Sequence, residues 1–142
     1  MANTNLATAS ATSRLSNQPG RAIVTARGNH FVVDSPAALG GPNEERNPLD
    51  LMLGALATCA TFICEMGIDL RSLTVTAAGD LDSRGLCNSD INPRMQAFRV
   101  RLALSGPTAA EAEALVDAFR TRCPVYTTFS RAAPVEIEVV LG

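Results

Sequence analysis

The sequence predicts an α+β fold with mostly antiparallel strand pairing, on three observations. Residues 73–77 and 98–104 alternate apolar and polar side chains at the strand period, and 135–141 do so again near the C-terminus. Two other stretches open with helix-start signals at Asn47 and Thr108 and carry apolar residues at helical spacing. A short β-prone hairpin precedes them all. The order is therefore hairpin, helix, two strands, helix, strand, in which helices and strands do not alternate one for one as they do around a parallel sheet. A chain of 142 residues fits one domain, read here as a flexible N-terminal arm at 1–17 and a single domain at 18–142.

The arm is assigned from its Ala, Asn, Thr and Ser content without periodicity. Regular structure is expected from about Gly20, with strands at 21–26 and 30–33 around the turn signal Arg27-Gly28-Asn29. Residues 35–46, with Pro36, Gly40-Gly41-Pro42-Asn43 and Glu44-Glu45, read as a loop. Asn47 is a good helix cap, Pro48 suits the first position, and Asp50 puts a carboxylate where the helix dipole favours it. This helix is expected to run to about Met66, with Gly67 as its stop. Met52, Leu56, Cys59 and Ile63 form one stripe, while Gly54, Ala55, Ala57, Thr58, Ala60 and Thr61 leave the other faces small. Residues 80–93 are polar and turn-rich, a long connection between two strands. The later helix opens with a capping box, Thr108 to Glu111, and Leu115, Phe119 and Cys123 recur on its apolar face until Pro124 ends the regular bonding. Glu136 and Glu138 of the last strand can pair with Arg99 and Arg101, at little gain in stability for exposed pairs.

A formal net charge of -2 with no long run of either sign gives no footprint for nucleic acid or an anionic membrane. One Tyr, five Phe and no Trp make a base-stacking platform improbable. The N-terminus lacks the charged and apolar regions of a secretory signal, so the expected location is cytoplasmic with reduced thiols. The longest apolar run, 51–64, is shorter than the roughly 18 residues a bilayer span needs, and is read as a buried core helix.

The four cysteines carry most of the functional information. Cys59 and Cys64 sit five apart on one helix and point to different sides, so neither a bridge nor a shared metal is expected between them. Cys87 lies in a polar loop and reads as exposed and incidental. No C-x-x-C pair exists and His30 is the sole histidine, so the usual zinc spacings are absent. His30 is also the only imidazole that a Cys or Ser hydrolase could use as base, and no phosphate-binding glycine motif is present. Cys59, amid small residues, is either an inert small hydrophobe or a nucleophile kept from water. Thiol chemistry would need Cys59 partly ionised and a second thiol within reach. A mid-helix cysteine gains nothing from its own helix N-terminus, so a cation is expected from elsewhere, with Arg21, Arg27 and Arg46 as candidates and Arg14 if the arm folds over.

Leu39-Gly-Gly-Pro42, Asn47-Pro48, the helix reaching Ala57-Thr-Cys59 and the later Arg122-Cys-Pro-Val-Tyr126 together resemble the OsmC/Ohr family of peroxide-detoxifying stress-response proteins. The similarity runs from about Gly20 to Leu141. It implies an intertwined homodimer around long central helices, with the active sites at the subunit interface. It further implies Cys59 as the peroxidatic thiol, Cys123 as the resolving thiol, organic hydroperoxides as substrate and dithiols, including lipoylated proteins, as reductant, with no cofactor. The glutamate that such proteins carry directly after Asn-Pro is Leu49 here. Asp50, one residue later, either takes its place or serves only the helix N-terminus. The family's activating arginine aligns with Gln18, with Arg21 nearby. The expected function is a thiol-dependent organic hydroperoxidase using Cys59, Cys123, Asp50 and Arg21. The alternative is a non-catalytic dimer binding a small apolar ligand at the subunit interface.

Overall fold

The computed structural model describes residues 5–66 and 68–142. They fall into two compact units, Met1–Leu51 and Met52–Gly142.

The first unit holds three antiparallel strands in the order β1-β2-β3: β1 (Thr12–Leu15), β2 (Arg21–Ala26) and β3 (Asn29–Asp34). The β2–β3 turn is Arg27-Gly28, both with positive φ (51° and 79°), the handedness that matches the twist of a two-residue hairpin. Regular structure starts earlier than composition indicates, because β1 lies inside the stretch expected to be an unstructured arm. Its four residues are all exposed and pair through the backbone with 22–25, so no apolar alternation announces them. At the far end of this hairpin Gly20 comes so close to the 35–46 loop that a Cβ on it would lie 2.6 Å from the Gly41 Cα. That loop contains one 3-10 turn, Ala37–Leu39.

The first long helix, α1 (Pro48–Glu65), matches the expected span; its stop at Gly67 lies outside the described residues. At 18 residues and a mean hydropathy of 1.4, α1 is long and apolar enough to cross a membrane, so length does not argue against a span as the 51–64 run did. It is less buried than the core helix expected: Leu56, Ala60, Ile63 and Cys64 on one face are 0–8% exposed within the core of the second unit, and only 22% of the helix is buried.

That unit's sheet has the order β4-β5-β6, formed by β4 (Ser72–Leu81), β5 (Met95–Ser105) and β6 (Val135–Leu141). β4 pairs antiparallel with β5, but β6 runs parallel to β5. The parallel pairing follows from the crossover between them, α2 (Ala109–Arg122) and α3 (Pro124–Ala132), which carries the chain from the Ser105 end of β5 back to the Phe98 end, where β6 begins. Phe98, Val100, Leu102 and Leu104 of β5 turn their apolar face to the core, which also takes Ala112, Leu115, Val116 and Phe119 of α2. The 80–93 connection is shorter than expected, because β4 continues to Leu81 and Asp82 caps a 3-10 turn at Ser83–Leu86. On the exposed face Arg101 meets Glu138 at 3.2 Å, whereas Arg99 pairs with Asp80 on the other neighbouring strand.

Phe119 is 0% exposed, and its ring lies 5.0 Å from that of Tyr126. Phe119→Ala is expected to lower stability by about 3–5 kcal/mol through lost burial and a residual cavity. Thr74→Ala, on the exposed face of β4, should stay within about 0.5 kcal/mol. Urea unfolding followed by circular dichroism measures both.

Candidate thiol site

The second unit brings Cys59 and Cys123 together. Their sulfurs are 2.6 Å apart, both as free thiols, so closing a bond of about 2.05 Å asks for little movement. Cys59 is mid-helix on α1 and half-buried, packed against the core. Cys123 is 0% exposed.

The place of Cys123 follows from the proline after it. Its N–H still bonds the Phe119 carbonyl at 3.1 Å, the last turn of α2. Pro124 has no N–H to continue the ladder and holds the preceding residue extended, with Cys123 at φ -81° and ψ 114°. Proline is well suited to the first position of a helix, and α3 begins there. Sequence reading stopped the helical region at Pro124 and missed α3; proline at a first helical position was the available signal. The Cys123 sulfur caps the new helix by accepting the Tyr126 N–H at 3.1 Å, and its carbonyl accepts the Thr127 N–H at 3.0 Å. Stacking of Phe129 on Phe98 at 5.0 Å and a bond from Arg94 Nη1 to the Ala132 carbonyl at 3.0 Å fix α3 at its middle and end.

Burial is the largest influence on the Cys59 thiol and pushes its pKa up, as do the hydrogen bond and charge interaction with Cys123; a bond from the Val125 N–H pulls it down. Cys64 is wholly buried, with its thiol also pushed up by burial, and Cys87 is exposed. A groove of about 500 Å3 between α2 and β6, lined by Val116, Arg120 and Ile137 among others, contains neither paired thiol. Among the described residues no group of three His, Cys, Asp or Glu side chains is placed to hold a metal ion.

Asp50 and Arg21 belong to the first unit, where each has local partners. The Asp50 carboxylate accepts the Asn47 N–H at 2.8 Å, and Asn47 Oδ1 accepts the N–H groups of Leu49 and Asp50 at 2.8 and 3.1 Å, a reciprocal cap at the start of α1. Arg21 makes two parallel bonds to Asp34 at 2.7 and 2.8 Å, and further bonds to Glu44 at 2.7 Å and Gln18 at 2.9 Å. His30 is exposed and bonded to Thr25 Oγ1 across the hairpin at 2.7 Å.

Asp34, which sequence reading passed over, is the anchor of this cluster. At 1% exposure it accepts from Arg21 and from the N–H groups of Glu44 and Glu45, both at 3.0 Å. These bonds, led by Arg21, hold its carboxyl well below the usual range, and Asp34 holds the Arg21 guanidinium above its own. The only sequence signal was an acid closing the apolar run 31–33.

Residues 41–138 match the family model described as OsmC-like protein. The fold is similar to that of an OsmC-like protein from Mycoplasma pneumoniae, at 16% identity and a TM-score of 0.80, over 95% of this chain and 97% of that one. An organic hydroperoxide resistance protein from Elizabethkingia anophelis, with thiocyanate bound, matches at 20% identity and a TM-score of 0.76, over 98% and 99% of the two chains. The organic hydroperoxide resistance protein OhrB of Bacillus subtilis matches at 20% identity and a TM-score of 0.66, over 93% and 97%. No match is found among curated protein sequences.

The Asp34 cluster sets a pH dependence. With the folded carboxyl depressed, the unfolded chain binds more protons in acid, so the stabilisation is complete above about pH 4 and is lost as pH falls toward the folded value. The stability gap between wild type and Asp34→Asn should therefore be widest at neutral pH and narrow below about pH 4. Urea titrations at a series of pH values measure it.

Proposed function

Because the chain belongs to the OsmC-like protein family and holds two thiols within bonding reach, we propose that it is a cysteine-based peroxidase acting on organic hydroperoxides. The Cys59 sulfur attacks the terminal oxygen of the hydroperoxide; the O–O bond breaks, an alcohol leaves and Cys59 becomes a sulfenic acid. The Cys123 sulfur then attacks the Cys59 sulfur, forming the disulfide and releasing water. An external dithiol, such as a small dithiol or a lipoylated protein, reduces the disulfide by two exchange steps and is itself oxidised. No cofactor takes part in this scheme.

The carrying observation is the 2.6 Å separation of two sulfurs, one half-buried on α1 and one fully buried at the α2–α3 junction. The half-buried thiol is the one a substrate can meet first. The buried one is poised to resolve it. The names of two similar solved structures, both organic hydroperoxide resistance proteins, support this choice of substrate class.

We assign the working form as a cytoplasmic homodimer. Away from its unit's core α1 exposes Phe62 at 59%, Met66 just past its end is 67% exposed, and at Gly54 an added Cβ would meet nothing within 4 Å. Small and apolar residues on one helix face allow a second helix to approach closely.

A second reading, a non-catalytic dimer that binds a small apolar ligand, is favoured by the upward push on the Cys59 thiol and by the local engagement of Asp50 and Arg21. Consumption of cumene hydroperoxide with dithiothreitol separates the two. The peroxidase reading expects turnover in the wild type, none in Cys59→Ser, and a dimedone-trappable sulfenic acid on Cys59 after one turnover in Cys123→Ser. Absence of both peroxide consumption and a Cys59–Cys123 disulfide in the wild type would leave the binding reading.

A further inference from the structure

Thiol–disulfide exchange is attack of a thiolate on one sulfur with loss of the other, and access helps decide which sulfur is attacked. The three sulfurs stand nearly in line as the bond changes hands, so the attacker approaches from the side opposite the leaving sulfur. The two sulfurs here differ in what that side offers. Cys123 is 0% exposed, belongs to the core with Phe119, and its sulfur already contacts Cys59 and accepts the Tyr126 N–H. An attacker in line with the bond at Cys123 would have to come through that core. Cys59 is half-buried, at the edge of the packed face of α1. Its neighbours one helical turn away divide evenly: Leu56 and Ile63 are 0% and 8% exposed, whereas Ala55 and Phe62 are both exposed. The way in to Cys59 therefore passes a small side chain and an aromatic one.

We propose that the external dithiol attacks Cys59 and not Cys123, entering from the position that the hydroperoxide oxygen has just left. This rests on the peroxidase reading for the oxygen but not for the choice of sulfur. When Cys123 attacks the Cys59 sulfenic acid, the same in-line geometry puts the departing oxygen on the side of Cys59 away from Cys123. The space that oxygen occupies at one step is thus open to a sulfur at the next. A hydroperoxide must reach Cys59 in any assembly that turns over, so a second copy packed on α1 leaves this entry open.

In the first exchange one thiolate of the dithiol bonds to the Cys59 sulfur and the Cys59–Cys123 bond breaks. Cys123 leaves with the electron pair and takes from solvent a proton equivalent to the one the dithiol gave up. In the second, the other thiol of the dithiol attacks the reductant's own sulfur in the mixed disulfide. The reductant departs as a cyclic disulfide, and Cys59 recovers its proton. Two electrons have passed to the protein, and both thiols are restored to the contact at 2.6 Å. Cys123 completes the cycle without leaving its buried place. The entry suits a dithiol on a slender apolar frame, able to pass Ala55 and Phe62.

The test uses a disulfide made without peroxide. Diamide couples the two thiols by taking up their two hydrogens, and the oxidised full chain is then treated with β-mercaptoethanol, which supplies one sulfur and cannot finish the reduction by ring closure. Samples are quenched in acid, where thiolates vanish and exchange stops, and the adduct is located by peptide mass spectrometry. The mixed disulfide is expected on Cys59 at the earliest times, in about tenfold excess or more over Cys123. An adduct found first on Cys123, or equally on both, overturns the proposal whether or not the protein consumes hydroperoxide. Should the adduct be on Cys59 and turnover be absent, the peroxidase reading fails and the entry sulfur stands.

Discussion

The bond that Pro124 cannot make organises the second unit. A residue without an N–H halts α2 at Arg122, forces Cys123 into an extended conformation, and starts α3 in a new direction. The first N–H groups of the new helix need acceptors, and the Cys123 sulfur is in place to accept that of Tyr126. Capping thereby fixes the side chain, and a fixed side chain is what allows contact with Cys59. The same break makes the crossover long enough for β6 to return parallel to β5. Cap, thiol contact and sheet topology all trace to one missing hydrogen.

The first unit is held by a different device. Asp34 ends β3 with a carboxylate removed from water, a costly placement unless donors surround it. Arg21 from the adjacent strand and two backbone N–H groups from the following loop supply them. The backbone bonds Asp34 N–H to the Arg46 carbonyl and Ser35 N–H to the Gly20 carbonyl close the same loop at both ends. The outcome is a fixed approach to Asn47, where α1 is capped. Arg21 is therefore a structural arginine within its unit, whatever else it contacts in an assembly.

For the chemistry, two opposing influences meet at the sulfurs. Burial raises the cost of charge, which protects thiols from indiscriminate oxidation but slows attack. The Val125 N–H at the start of α3 pulls the Cys59 thiol the other way. Cys64 gives the contrast: on the same helix and wholly buried, its thiol is pushed up by burial, and it reads as a small core hydrophobe.

Local patterns in the sequence determined the strands at β2–β6, the start of α1 at Asn47-Pro48, the capping box at Thr108 and the family membership, because each depends on neighbours a few residues away. The choice of Cys59 and Cys123 as a pair was legible only through the family motif, since they are 64 residues apart and spacing says nothing of contact. Tertiary structure decided the rest. β1 forms because β2 offers an open edge, a long-range demand that four exposed residues do not advertise. The parallel pairing of β6 depends on where the crossover ends, and the value of Asp34 depends on donors from a strand and a loop that meet only in the fold. The role of α3 stayed hidden for the same reason. Pro124 read as a stop is local physics, whereas Pro124 read as a start requires the packing of Phe129 on Phe98 that makes a nine-residue helix stable.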